Sequence, residues 1–224
     1  MSVLDSLSAL LTHLSDLLRP LFGGSATAAA VVAMTLAVRL LLHPLARAAA
    51  RGERARAALA PQLAKIHDRH RGDPQRIQRA TAALYAESGS SPLAGCLPTL
   101  LQLPVFLVLY QLFTRDGSEL LDHTLLGAPL GDGFAAALAD GGLLGPAGLV
   151  HLALFAVLAA VGTWSFLQAR RRARLTGTQP QGVLRLLPLL SYGTMVTAAV
   201  VPLAAGLYLA TSTAWTTAER ALLL

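Results

Sequence analysis

Residues 25–46 have the sequence SATAAAVVAMTLAVRLLLHPLA, in which Arg39 is the single charged residue. A helix that crosses the hydrocarbon core of a bilayer needs about 20 predominantly apolar residues. This stretch therefore predicts a first membrane span. Residues 92–113 and 146–168 are two further stretches of suitable length, and neither contains a charged residue. They predict a second and a third span.

The last long apolar stretch predicts two more spans. No charged residue lies between Arg185 and Glu219, and one helix over this distance would measure roughly 50 Å, too long for a single crossing. Pro202 lies near the middle of the stretch and favours a turn there. We therefore predict a fourth span over 183–201, and a fifth span with the C-terminus over 202–224. Five spans predict an all-α membrane protein.

The composition of the chain agrees with lipid as its solvent. Of the 224 residues, 54% are hydrophobic and 13% are charged, whereas soluble domains carry about 25% charged residues. The single cysteine, Cys96, excludes an internal disulfide and a cysteine-based zinc site. We expect neither a cofactor nor a metal. Residues 1–18 contain no Lys or Arg, so we expect no cleavable secretory signal.

Lysines and arginines predict the side of the membrane on which each loop lies. Nine occur in segment 47–91 and four in loop 169–182, but only one in each of 1–24 and 114–145. Positive charge close to the ends of spans stays in the cytosol. The N-terminus is therefore predicted outside and the C-terminus inside, in a multi-pass protein of the bacterial plasma (inner) membrane.

Two segments outside the spans have helical patterns. Segment 1–24 predicts an amphipathic helix in the outer interface, because its leucines recur at steps of three and four. Segment 47–91 predicts a cytosolic helical hairpin, with Asp73 as the N-cap of the second arm and Pro74 at its first position. The outer loop 114–145 predicts no defined element. The leucines of the first helix are Leu4, Leu7, Leu11, Leu14, Leu18 and Leu21.

Arg39 is the most informative side chain of the spans. It lies about 5 Å to the cytosolic side of the midpoint of its span, where an arginine costs roughly 2.5–3.5 kcal/mol to insert. It should face protein or water, although a structural arginine that extends to the headgroups is the simpler alternative. Glu219 is the one acidic residue within the predicted spans, and it lies at the far end of the last. We therefore expect neutral hydrogen-bond partners and water around Arg39.

The stretch SPLAGCLP at 91–98, followed by LQLPVF at 101–106, closely resembles the signature of the YidC family of membrane protein insertases. Ser91 stands where that family usually has asparagine. The resemblance covers residues 25–218. Its further matches, in chain order, are Arg39 with His43-Pro44-Leu45, Pro61 with Leu63 and Ile66, LYAESG at 84–89, Tyr110, FLQ at 166–168, and Pro202, Gly206, Leu207, Tyr208 and Trp215.

The resemblance implies a five-span bundle with a groove that opens to the cytosol and sideways to lipid. It implies insertion of proteins without a chemical reaction, so the chain would not be an enzyme and no catalytic residues are expected. The hairpin, with Pro61 and Tyr85, would receive substrates. The residues that would line the groove, carried over by position or chosen as polar neighbours, are Arg39, Gln168, Trp215 and Gln102.

The expected partners are nascent membrane proteins and the lipid bilayer, with the ribosome and a Sec-type translocon as candidates, and no small-molecule substrate. A small membrane transporter is the alternative function. Most transporter folds contain two related halves, and we find no internal repeat. An intramembrane hydrolase is a third class, but the sequence contains neither G-x-S-x-G nor H-E-x-x-H.

Overall fold

The computed structural model describes residues 3–70, 72–88, 123–175 and 192–223. Most of these residues are helical, as the sequence predicts. The predicted second span, 92–113, lies outside the described residues. The helices are α1 (Val3–Phe22), α2 (Ala26–Leu41), α3 (His43–Arg69), α4 (Pro74–Glu87), α5 (Phe134–Gly141), α6 (Pro146–Leu175), α7 (Gly193–Val200) and α8 (Leu203–Leu223), with a 3-10 turn at Gly23–Ser25.

Two helical stretches of the described chain are long and apolar enough to cross a membrane, Ser6–Leu41 and Pro146–Arg171. The first combines α1, the 3-10 turn and α2, and the second is most of α6. Helix α8 has 21 residues, which at 1.5 Å per residue is also about the thickness of a bilayer core.

The apolar run 25–46 is divided between two helices. Helix α2 ends at Leu41 and α3 begins at His43, so the break falls inside the predicted first span. Pro44 explains it, because proline has no N–H to donate to the carbonyl one turn earlier but is well tolerated in the first turn of a new helix. The amide of Leu42 still bonds to the carbonyl of Val38, and that of Ala46 bonds to Leu42.

Helices α6 and α8 run side by side in the same direction. Leu154 of α6 lies against Gly206 of α8, where a Cβ atom on the glycine would be 2.7 Å from the leucine Cδ2. Further along both helices, the Ser165 and Thr217 hydroxyls are 3.4 Å apart. The glycine therefore permits a close approach that a larger side chain would prevent.

The segment after residue 122 packs against one end of this bundle. The amides of Leu203 and Ala204, which begin α8, donate to the carbonyls of Asp132 and Leu130 at 2.9 and 3.0 Å. At the same end, the Thr27 hydroxyl of α2 is 2.7 Å from Nδ1 of His123. The predicted outer segments and the turn between α7 and α8 thus lie together.

A two-stranded antiparallel sheet lies within the predicted outer loop, where we expected no defined element. Strands β1 (Thr124–Leu125) and β2 (Ala128–Pro129) pair with Thr124 opposite Pro129. The two residues between the strands, Leu126 and Gly127, both have positive φ angles, 53° and 88°. Two-residue hairpin turns of this kind favour Asn-Gly or Asp-Gly, so Leu-Gly is a weak signal in the sequence.

One core joins α1, α2, α6, α8 and the sheet. Helix α1 contributes Leu11, which is fully buried, but Leu21 from the same predicted face is 79% exposed. The leucines of the predicted face are therefore not all buried in the bundle. Leu10 and Leu17 are exposed as well, so α1 packs one stripe on the bundle and leaves a second apolar stripe uncovered. The largest fully buried side chains are Leu11, Val31, Leu130, His151, Leu158 and Leu203.

Candidate functional site

Arg39 lies in the last turn of α2 and is partly buried between helices. Its guanidinium Nη2 donates a hydrogen bond to the hydroxyl of Ser212 on α8. Ser212 is 5% exposed. No carboxylate of the described residues lies within ion-pairing distance of Arg39. The arginine thus has a neutral protein partner, as the scarcity of acidic residues in the spans predicts.

One turn further along the chain, His43 contacts α8 as well. Its Nδ1 pairs with the Oε1 of Glu219, whose side chain is 10% exposed. His43 lies four residues after Arg39 and Glu219 lies seven residues after Ser212, so the chain from α2 into α3 runs in the same direction as α8. A carboxylate buried to this degree needs a polar or charged partner, and His43 supplies it.

The polar contacts continue beyond His43 to the end of α8. The guanidinium of Arg54 donates to the backbone carbonyl of Leu223, in the last turn of α8. Glu53, the neighbour of Arg54, lies 4.0 Å from Arg220. A helix terminus leaves carbonyls unpaired and carries a partial negative charge, so Arg54 is a C-terminal cap provided by another helix. We call the contacts of Arg39, His43, Glu53 and Arg54 with α8 the α8 ladder.

Most threonines of α8 satisfy their hydroxyl groups within the helix itself. The hydroxyls of Thr211, Thr213 and Thr216 each donate to the carbonyl four residues earlier. These side chains therefore have no hydroxyl donor to offer to a groove. Ser212 differs, because its hydroxyl accepts from Arg39.

The sequence predicts Gln168, Trp215 and Gln102 beside Arg39. Trp215 follows Ser212 by three residues and is partly buried, and its indole N–H is buried without a partner. Gln168 is partly buried on α6, one turn after Ser165, which contacts α8. Between described residues, no hydrogen bond joins Gln168 or Trp215 to Arg39. Gln102 lies outside the described residues.

A family model described as 60Kd inner membrane protein matches residues 18–224. The chain belongs to this family. The family includes the YidC insertases and the Alb3 proteins, so the predicted relationship to YidC is confirmed. With its long apolar helices, this family member is a membrane protein.

Relatives of the YidC family occur in bacteria and in chloroplasts. "Membrane protein insertase YidC" of Campylobacter jejuni is 40% identical over 82 residues, which are 37% of this chain and 16% of that protein. "Inner membrane ALBINO3-like protein 1, chloroplastic" of Chlamydomonas reinhardtii is 36% identical over 54% of this chain and 24% of its own length. "Inner membrane protein ALBINO3, chloroplastic" of Arabidopsis thaliana is 34% identical over 51% of this chain and 25% of its own length. The chain therefore spans a quarter or less of the length of these relatives.

The hairpin residues predicted from the YidC resemblance lie away from the α8 ladder. Pro61 is exposed within α3. Tyr85 lines an open cavity of about 950 Å³ along α4, together with His67, Ile77 and Thr81. Pro61 does not line this cavity, so the structure does not bring the two predicted residues into one site.

Sequence reasoning missed the specific contacts of the α8 ladder. It did not name Ser212 as the partner of Arg39, and it did not pair Glu219 with His43. The spacing contained a usable signal, because Arg39 and His43 are one turn apart and Ser212 and Glu219 are two turns apart. Only the packing of α2 and the start of α3 against α8 shows that the two pairs face each other.

Proposed function

We propose that this member of the YidC family is a membrane protein insertase and chaperone. It transfers hydrophobic segments and short outer tails of nascent proteins from the cytosol into the lipid bilayer of the bacterial inner membrane. The names of its bacterial relatives support this activity. The substrate-contacting part is a hydrated groove that contains Arg39, with Gln168, Trp215 and Gln102 as further members.

The contact between Arg39 and Ser212 carries this proposal. A guanidinium has five N–H donors and a permanent positive charge. The Ser212 hydroxyl occupies one donor and carries no charge, and Glu219 makes its direct contact with His43 rather than with Arg39. A partly buried cation without a carboxylate partner is unfavourable unless water or a ligand solvates it. An acidic tail or water in the groove would solvate this charge and accept hydrogen bonds from the remaining N–H groups.

The energies are suited to transient binding. An acidic residue at the bilayer centre costs about 2.5–3.5 kcal/mol. One ion pair at 4 Å is worth about 4 kcal/mol at an effective dielectric constant near 20. One arginine therefore offsets the cost of about one acidic residue without trapping it. The apolar segment of the substrate then leaves sideways into lipid, and no bond is made or broken.

The membrane arrangement that we propose has five spans, with the N-terminus outside and segment 47–91, the hairpin, in the cytosol. The packing supports it in one respect: residues 123–133 share an end of the bundle with the starts of α2 and α8, whereas the base of α3 meets the other end of α8. Segments with few positive charges thus share one end, and segment 47–91, rich in arginine, begins at the other. The ribosome and a Sec-type channel are candidate partners at the cytosolic side.

The decisive experiment replaces Arg39 with Ala and, separately, with Lys. Insertion of a single-span substrate with an acidic outer tail is followed by protease protection in vesicles with matched amounts of protein. We expect Arg39→Ala to abolish insertion and Arg39→Lys to restore much of it, because Lys keeps the charge. Arg79→Ala, on α4 and outside the ladder, is the control for the loss of one positive charge.

Two outcomes would contradict the proposal. Normal insertion by Arg39→Ala would show that the arginine is dispensable, and the groove mechanism would then rest on hydration alone. Uptake of labelled solutes by the same vesicles, lost in Arg39→Ala while insertion stays normal, would favour the alternative of a small transporter.

A further inference from the structure

A small polar cavity lies at the junction of α1, α2 and the segment that begins at residue 123. It measures about 110 Å³, and Asp16, Arg19, Gly23, Thr27 and His123 are among the residues that line it. It is far from the α8 ladder, because it adjoins the start of α2 rather than its end. The cavity contains both signs of charge within one turn of α1.

The walls of this cavity are held by a chain of hydrogen bonds. The hydroxyls of Ser15 and Thr27 are 2.8 Å apart, and Thr27 is 2.7 Å from His123 Nδ1. Ser15 and Thr27 are 7% and 3% exposed. Helices α1 and α2 and the distant segment at His123 are thereby fixed around the cavity, so its shape does not depend on a ligand.

The two charges of the cavity do not neutralise each other. Asp16 and Arg19 are three residues apart, a spacing at which helical ion pairs form readily. In the part of the chain that the structure describes, however, neither residue has an ion pair or a hydrogen bond, and both are exposed. Each charge is therefore available to a ligand with the opposite charge.

The apolar surface of α1 indicates where the cavity lies relative to the membrane. Leu10, Leu17 and Leu21 lie on one face of α1, at steps of seven and four, and are 56%, 73% and 79% exposed. An exposed leucine face on an amphipathic helix belongs in the boundary between headgroups and acyl chains. Asp16 and Arg19 lie on the other side of α1, which then faces the headgroups.

We propose that this cavity binds the headgroup of a phospholipid that carries a primary ammonium and a phosphate, namely phosphatidylethanolamine. Arg19 pairs with the phosphate, and Asp16 accepts hydrogen bonds from the ammonium. Phosphatidylglycerol has the phosphate but no ammonium, and the quaternary ammonium of phosphatidylcholine has no N–H to donate. Of these three lipids, the site therefore selects the one that has both a phosphate and an ammonium with N–H donors.

The test uses the full chain, purified in detergent and stripped of lipid. It is titrated with phosphatidylethanolamine, phosphatidylglycerol or phosphatidylcholine of identical acyl chains, and bound lipid is counted by native mass spectrometry. We expect phosphatidylethanolamine to bind at least about tenfold more tightly than phosphatidylcholine, the value of one charged hydrogen bond. Asp16→Asn should lower the affinity for phosphatidylethanolamine to that for phosphatidylglycerol. Arg19→Gln should weaken the binding of both of these lipids.

The control variants remove one charge of the same sign at positions outside the cavity. Asp140→Asn, at the exposed end of α5, and Arg79→Gln, on α4, should bind phosphatidylethanolamine like the unmodified chain. Unchanged affinity in both Asp16→Asn and Arg19→Gln would overturn the site. Equal binding of soluble phosphoethanolamine and of the lipid would overturn its assignment to a membrane lipid. Insertion is not measured, so the result is independent of the proposed function.

Discussion

Helix α2 and the start of α3 bury polar side chains against α8, whereas the rest of the hairpin, residues 47–88, leaves its polar side chains at the surface. Ser212 and Glu219 are 5% and 9% exposed, and each meets a basic side chain. From residue 47 to residue 88, by contrast, no described side chain is buried. Buried polar contacts fix one arrangement of helices, while a hairpin without a core can change its shape at little cost.

This difference separates two requirements of the proposed insertase. In this proposal a charge inside the membrane must be held at one depth, and the contacts of the α8 ladder would hold Arg39 there. An element that receives many different segments must adapt, and the open cavity beside Tyr85 has the exposure that adaptation needs. Substitutions in the two regions should therefore differ in their effects on stability.

The largest effect on stability is expected from His43→Ala. It leaves the Glu219 carboxylate buried without its partner, and removing one member of a buried pair costs about 3 kcal/mol or more. Thermal unfolding in detergent should show a much lower Tm. Glu219→Gln, which leaves no buried charge, should cost clearly less. Equal losses in the two variants would mean that the pair contributes by packing alone.

A smaller loss is expected from Gly206→Ala. The added Cβ would lie 2.7 Å from Leu154 Cδ2, and overpacking costs about 1–3 kcal/mol. The lower half of that range applies, because the end of a leucine side chain can rotate away. Leu154→Ala combined with Gly206→Ala should recover part of the loss in a double-mutant cycle. Strictly additive losses would contradict the close approach of α6 and α8.

In the hairpin, the expected effect of Asp73→Ala is local. The Asp73 carboxylate accepts from the Arg76 amide at 3.0 Å, which is the N-cap that the sequence predicts. Loss of such a cap costs about 1 kcal/mol. Hydrogen exchange should accelerate in the first turn of α4, while the Tm of the membrane helices stays the same. A fall in the overall Tm would show that the hairpin and the bundle unfold together.

The smallest effect on stability is expected from Tyr85→Ala. Its side chain is partly exposed and lines an open cavity, and surface substitutions usually change stability by less than about 0.5 kcal/mol. Insertion by Tyr85→Ala, measured by protease protection, should nevertheless slow if the hairpin receives substrates. Insertion at the normal rate would leave Tyr85 without a role in reception.

Local patterns predicted the helical class, the amphipathic helix near the N-terminus and the cap at Asp73, because these depend on residues within one or two turns. The same local reasoning placed the whole of 25–46 in one span. It did not predict that the helix breaks within this run, where the missing N–H of Pro44 ends α2. Strands β1 and β2 were missed because Leu126 and Gly127 are not a typical turn pair.

The sequence by itself determined that this chain is apolar, helical and a member of the YidC family, and it singled out Arg39 as the one charged residue of an apolar run. Those properties follow from composition, periodicity and the spacing of a motif. Only the tertiary structure decided which residues contact Arg39 and His43. Ser212 lies 173 positions from Arg39 and Glu219 lies 176 from His43, and no local pattern specifies a contact made solely by the packing of two separate helices.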